Sequence, residues 1–469
     1  MNTDKQAEQP SIGVWVAIIW YAIEASQSVS RWLALATGQP VQVDARDGSP
    51  LDRAIYIGLM VVALLILVRR PIKWSALIRS NQALTVLFLY MLLSITWSDV
   101  PDVSFKRWVR TLIDALMALV VLTDRAGFAA ETKVVGRVIF VSIALSAIFI
   151  KYFRTLGTAW DNFGYEMWVG ITTHKNELGQ LAMTGGIYFV FELIRNWRRR
   201  RIVVKVIYLS YLVLILWILK GPTNHRSNTA IVGLVVGTAL LLWCQLFQYR
   251  VASLRRYLFR AATVGGLLLF VGAGVVRSLV ATGISASGRD LTLTGRTDLW
   301  ADLLDIAAET PIFGVGYGSF WIGNTHNLWE RHLWGPTQGH NGYIDVYLEL
   351  GVVGLLVLAA VIIRGYLATL DRMTTNFGQG ALHFAWLTVI VIHNVTESSY
   401  LRGTVDLWFI FLLCAITVPP GREAVVQATR SSEEAQGWSH AVASSSGRNW
   451  WAPRPRPTHE RRQRWTRSA

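Results

Sequence analysis

Apolar stretches of about 17–25 residues, enough to cross roughly 30 Å of hydrocarbon as helix, recur along most of this chain between polar connections. Backbone groups in lipid must find partners within their own segment, so these runs predict helices; the alternation of a membrane barrel is absent. The spans fall at 11–30, 54–69, 82–97, 108–123, 134–153, 178–195, 202–220, 228–247, 258–281, 344–369, 380–396 and 403–419. The expected fold class is all-α, a polytopic integral membrane protein of about twelve transmembrane helices.

One connection breaks the pattern. Residues 282–343 make a polar loop of about sixty residues, far longer than ordinary helix connections. Within it, Arg296 to Glu309 places Leu299, Leu303 and Ile306 at helical spacing with Asp298, Asp302 and Asp305 on other faces, which predicts a short amphipathic helix lying on the surface. Pro311 ends that helix, and the run Gly314 to Gly318 lets the backbone turn tightly or approach a ligand closely. Residues 1–10 form a short polar lead, 11–420 a transmembrane domain, and 421–469, rich in Ser, Arg, Pro and Glu, a disordered basic tail. No internal repeat of solenoid or propeller period is present.

Charge sets the orientation. Lys and Arg in short loops stay on the cytoplasmic side, and Arg69 to Lys73, Arg195 to Arg201, Arg250 to Arg260 and the C-terminal tail all fall on the side of the N-terminus. Both termini are therefore expected in the cytoplasm, with 38–53, 98–107, 154–177, 221–227, 282–343 and 397–402 facing outward; Lys106 and Arg107 run against this trend beside a span. Composition agrees with a membrane protein: 52% of the 469 residues are hydrophobic and 16% charged, where a soluble domain carries about a quarter charged. The net charge of +15 sits mostly in inner loops and tail. Topology and anionic lipid account for it better than nucleic acid, which is not expected as a partner. Cys244 and Cys414 both lie inside apolar spans, so no disulfide framework or thiolate metal site is implied. The first apolar run lacks a cleavage signal and is expected to remain as the first helix.

The outward side collects the chemistry. Arg226 at the start of the eighth span, Arg296 in the long loop and His340 at the start of the tenth would share one compartment. Two guanidiniums present planar forks that fit diphosphate oxygens, and an imidazole near neutrality can take a proton from a sugar hydroxyl. Each residue has a plainer reading: Arg226 as an interfacial anchor, Arg296 as the partner of a neighbouring acid, His340 as a packed polar residue with rivals in His326 and His332. Those three histidines lack metal-ligand spacing, and Gly314-x-Gly316-x-Gly318 is no dinucleotide fingerprint, so neither a metal nor a cofactor is expected. His174, Lys175 and Asn176, at the mouth of the sixth span, would orient a donor or acceptor or else cap the helix. Glu349 would orient His340, bind substrate or pack between helices. The tryptophans, Trp300 among them, suit an interfacial belt and also offer faces on which sugars stack.

Five stretches in their order, THKNELGQ (173–180), NHRSNTA (224–230), GRTDLW (295–300), PIFGVGYGSF (311–320) and GHNGYIDVYLELGVVGLL (339–356), resemble the O-antigen ligase and polymerase family of bacterial envelope glycosyltransferases, most of all its exopolysaccharide-polymerase branch. The resemblance covers roughly 50–420. It implies a donor glycan linked to undecaprenyl diphosphate, used at the periplasmic face of the inner membrane, with a glycan or lipid A core as acceptor and a chain-length regulator as partner. Arg226 and Arg296 would hold the diphosphate and His340 would act as base, giving inversion without a metal. The matching stretches also supply the expected substrate-binding residues His174, Lys175, Asn176, Trp300, Gly316, Asn341, Tyr343 and Glu349. A polymerase of lipid-linked repeat units is the leading expectation, a ligase onto lipid A core its neighbour, and a glycan transporter or flippase the reading from another class.

Overall fold

Helix dominates the computed structural model, which describes residues 9–38, 48–161, 164–197, 201–222, 227–248, 296–322, 328–332, 334–403 and 406–419. The ninth expected span, the start of the long loop, Arg226, His326 and the basic tail lie outside the described residues. In chain order the helices are α1 (Val14–Glu24), α2 (Val29–Thr37), α3 (Pro50–Arg69), α4 (Trp74–Ser80), α5 (Gln82–Ser94), α6 (Pro101–Leu122), α7 (Phe128–Tyr152) and α8 (Arg154–Gly157). A two-stranded antiparallel hairpin, β1 (Thr158–Trp160) and β2 (Glu166–Trp168), follows. Then come α9 (Lys175–Asn196), α10 (Ile202–Lys220), α11 (Asn228–Phe247), α12 (Arg296–Ala307), α13 (Leu328–Arg331), α14 (Gly342–Thr375), α15 (Phe377–His393) and α16 (Asp406–Ala415).

Five of these, α3, α7, α10, α11 and α14, are long and apolar enough to cross a membrane, and α4 with α5, bent by 90°, makes a possible sixth. The chain is a multi-pass membrane protein. Elsewhere the helices depart from simple apolar rods. The first expected span is split into α1 and α2 around Ala25 to Ser28, and α1, α15 and α16 are apolar but short. α6 carries Asp102, Lys106, Arg107, Arg110 and Asp114, and Arg110 is matched within the bundle by Glu24 of α1 at 3.1 Å, while Asp114 accepts from the Trp20 indole at 2.7 Å. Charged groups inside a membrane bundle persist only when so paired. Around a core that includes Trp20, Trp386, Trp408 and Phe409, α15 packs against both α14 and α11, and α9 against α10 and α11.

α14 is broken at Gly351, whose φ of 64° no helix tolerates. A break inside a span strands backbone groups, and the stretch Pro311 to Gly318 takes them up. Val352 and Val353 donate to the Pro311 and Ile312 carbonyls (2.9 and 3.2 Å), while Val315 and Gly316 donate to the Leu348 and Glu349 carbonyls (3.0 and 2.9 Å). The Tyr90 hydroxyl donates to the Leu350 carbonyl. The close approach needs glycine on both sides, since a Cβ at Gly314 would lie 2.5 Å from the Glu349 backbone and one at Gly351 2.2 Å from the Ile312 oxygen. The glycine run thus approaches a helix backbone. Tyr317, between Thr111 and the Leu401 carbonyl at 2.7 Å each, and Arg107, donating to the Gly318 carbonyl at 2.8 Å, fasten it to the bundle.

α12 is the amphipathic helix expected in the loop. Leu299, Leu303 and Ile306 are buried and form a small separate core with Phe320, Leu328 and Leu348. The start of α12, carrying Arg296, is thereby set over the start of α14.

Candidate active site

His340 stands in a tightly specified turn just before α14. Its φ of 46° is one of two positive values among described non-glycine residues, a conformation that costs free energy and persists where surrounding bonds over-determine it. Those bonds are visible. The Gly339 amide donates to Asp345 Oδ1 (2.9 Å), the Gly339 carbonyl accepts from the Trp300 indole (2.7 Å), and Asn341 caps α14 by accepting from the Tyr343 and Ile344 amides (3.0 and 3.2 Å). Asp345 is itself held by Arg402 at 3.1 Å and by the Trp321 indole at 3.1 Å.

The turn after α15 supplies the group that joins the site. Asn394, fully buried, accepts from the Ser399 and Tyr400 amides (2.9 and 3.1 Å) and donates to the Ile390 carbonyl and the Ser399 hydroxyl, which ties the segment into a knot. The Gly342 amide donates to the Asn394 and Glu397 carbonyls (2.8 and 3.1 Å), fixing this knot to the start of α14. Glu397 then reaches three expected site residues at once. One carboxylate oxygen accepts from Arg296 (2.9 Å) and from the Asn176 amide group (2.8 Å); the other meets His340 Nδ1 at 3.2 Å. Arg296 also donates to the Thr396 carbonyl. Burial works to raise the Glu397 carboxyl, but the His340 hydrogen bond and the Arg296, His340 and His393 groups outweigh it and hold it down at about 2. Glu397 is an anion at any physiological pH.

His174 caps α9, its Nδ1 accepting from the Asn176 amide at 3.2 Å. Burial, helped by Lys175, His340 and Arg296 and opposed by Glu397, lowers its ring to about 4. His174 is therefore neutral, as an acceptor must be.

Of the expected residues, then, Arg296, His340 and Asn176 share one carboxylate, His174 lies within electrostatic reach of Arg296, His340 and Glu397, and Trp300 and Asn341 hold the turn that carries His340. Lys175 opens onto a neighbouring groove. The remaining three face elsewhere. Tyr343 sends its hydroxyl to the Val391 carbonyl (2.9 Å); Glu349 accepts from the Gly318 amide (3.0 Å); Gly316 belongs to the clamp on the α14 break. Glu349 thus does not orient the His340 ring; Glu397 does. Arg226 lies outside the described residues, and Thr229, three positions on, hydrogen-bonds Thr396 beside Glu397 at 2.9 Å. His332 pairs with Asp302 at 2.9 Å, away from Glu397.

Sequence reasoning missed Glu397. The signal was present in its place, since it is the sole acid of 397–402, a segment expected to face outward, and directly follows the eleventh expected span. The O-antigen ligase family matches residues 223–359, a stretch that ends before Glu397. Exopolysaccharide production protein ExoQ of Rhizobium meliloti is 27% identical over 361 residues, 72% of this chain and 77% of ExoQ. The first half of α14 with its break, the turn carrying His340 and the arginine helix beside it fall inside the matched region, and the resemblance of this chain to the O-antigen ligase and polymerase family is established by both comparisons.

Proposed function

We propose that this protein is a membrane glycosyltransferase that polymerises undecaprenyl-diphosphate-linked oligosaccharide repeat units into exopolysaccharide or another surface polysaccharide at the periplasmic face of the inner membrane. The observation that carries the reading is the Glu397 bridge between Arg296 and His340. A carboxylate on Nδ1 holds the ring so that Nε2 is the free acceptor, and it stabilises the imidazolium that forms when a proton arrives. Arg296 spends part of its donor fork on Glu397 and Thr396 and offers the rest to phosphate oxygens. Arg226 is the second guanidinium of the proposal.

In the reaction, the acceptor hydroxyl oxygen attacks the anomeric carbon of the donor sugar as its proton passes to His340 Nε2. The carbon–oxygen bond to phosphate breaks, and the lipid diphosphate leaves with the bonding pair, its charge matched by the arginines. Both Glu397 oxygens are engaged by protein groups, so this carboxylate is placed to orient and not to attack. A single displacement follows, which inverts the anomeric centre and needs no divalent cation.

The likeness to ExoQ, an exopolysaccharide production protein, over most of both chains favours exopolysaccharide as the product. The description of the matched family favours a second reading, transfer of finished glycan to lipid A core. Full-length protein in proteoliposomes, given a lipid-linked repeat unit with or without lipid A core, separates the two. A ladder of products without core is the expected result, unaffected by EDTA. A core conjugate and no ladder would replace the polymerase by the ligase, and neither product would remove the enzymatic reading.

A further inference from the structure

Inside the bundle, Glu24 at the end of α1, Glu177 and Gln180 in the first turns of α9 and Asp406 at the start of α16 line a small cavity together with Ala25 and Thr172. It has room for about one water or one ion. The protein leaves its oxygens unused. Glu24 Oε2, Gln180 Oε1 and Asp406 Oδ2 are buried without a hydrogen-bond partner among the described residues, on residues that are 6%, 4% and 4% exposed. A buried acceptor is costly until a donor or a cation meets it.

Charge points the same way. Asp406 lies within electrostatic reach of Glu177 and Glu24, and Glu24 within reach of Asp114, so four carboxylates are linked in one region. Two guanidiniums oppose them: Arg110 donates to Glu24 Oε1 at 3.1 Å, and the exposed Arg31 acts on Glu177 from α2. A deficit of positive charge remains. The backbone adds to it, because α1 stops at Glu24 within the first expected span, and a helix C-terminus carries partial negative charge. Broken spans that end inside a bundle are a recurrent setting for sodium sites.

The ligands decide which cation. All are oxygens, which favours a hard ion. Glu177 spends one oxygen on the Thr173 amide and hydroxyl (2.9 and 2.6 Å), and among the described residues no three acids, histidines or cysteines are set to hold a metal together. Calcium would need more ligands, and magnesium would need space for the waters it retains. Two carboxylate oxygens and a neutral amide oxygen around a space of one ion suit a single positive charge.

We propose that the cavity between α1, α9 and α16 is a binding site for a small monovalent cation of the size of sodium, with Glu24, Asp406 and Gln180 as its side-chain ligands. The site goes beyond the proposed reaction and takes no chemical part in it. Its place gives it a role all the same: Asn176, which donates to Glu397, lies one turn of α9 before Gln180. A bound cation fastens that turn to α1 and α16.

The test uses full-length protein in nanodiscs and radiolabelled sodium, with ionic strength held constant by choline chloride. Saturable binding of about one ion per chain is expected, together with a melting midpoint that sodium raises and choline does not. Asp406→Asn should weaken binding at least about tenfold, the scale of one charge-assisted contact, and Gln180→Leu by a smaller factor. The wild-type binding curve decides the matter even where a variant fails to fold. No saturable sodium binding by the wild type, full binding by both variants, a midpoint that answers sodium and choline alike, or displacement of sodium by trace calcium would each overturn the assignment.

Discussion

Two clusters in this molecule use the same three residue types. Near one end of α15, Arg296, Glu397 and His340 meet; within the helix, about 15 Å of rise away, His383 contacts both Glu131 and Arg372. The second cluster is closed. The Arg372 guanidinium also donates to the Cys414 and Ile416 carbonyls, the other Glu131 oxygen accepts from Gln379, and the side chains of His383 and Glu131 are 0% and 2% exposed. In the first, Arg296 and His340 keep 20% and 14% of their side-chain surface, and His340 sits on a strained backbone. Residue type therefore does not make a site. Spare donors, access and backbone strain separate a helix-to-helix lock from the cluster proposed to receive substrate.

The contrast breaks most visibly through mutation. His340→Ala is expected to lower polymer formation by about 10³-fold or more, the scale of losing a positioned base, while membrane insertion and thermal midpoint stay near wild type; this is read by reconstituted turnover beside a fluorescence melting curve. Glu397→Gln should cost about 10²-fold, because the amide keeps the shape but no longer stabilises the imidazolium. Arg296→Lys comes next, at about tenfold or more, since a point charge replaces a planar fork. For the closed cluster the expectation reverses. Glu131→Ala strands Arg372 and His383 in the interior and should destabilise by roughly 3–5 kcal/mol, with turnover per folded molecule unchanged; a normal melting curve with lost catalysis would erase the distinction drawn here.

The smallest effect concerns pH. His174 is lowered to about 4 in the folded protein from an ordinary value of 6.5. Between those values the unfolded chain binds more protons, so stability rises with pH through this window and is lost on acidification from 6.5 toward 4. Protonation would also turn the α9 cap from acceptor to donor. His174→Asn, which keeps an acceptor, should flatten the dependence of the melting midpoint over that range; an unchanged slope would contradict the assignment.

How much of this was legible beforehand follows from the range of each signal. Long apolar runs such as Pro50–Arg69 and Ile202–Lys220, and the spacing of Leu299, Leu303 and Ile306, are local patterns, and the structure has those helices in place. The break of α14 at Gly351 is matched by contacts with a distant segment, while the split of the first span near Ala25 and the shortness of α15 are departures that hydropathy does not encode. Gly314 and Gly316 could be read as needed for close approach, but that the partner is a helix break 35 residues later follows only from the packed bundle. Glu397 is the sharpest case. Only its place as the sole acid of 397–402, directly after an apolar span, marks it, and its meaning comes from the Asn394 knot that carries it beneath His340, with Arg296 a hundred residues earlier in the chain.

The central claim is that Glu397 acts through His340 as one unit, and a double-mutant cycle tests it directly. Initial rates of polymerisation from a purified lipid-linked repeat unit are compared for wild type, His340→Ala, Glu397→Gln and the double variant. The account predicts that the double variant is no slower than His340→Ala alone; losses that multiply independently would contradict it.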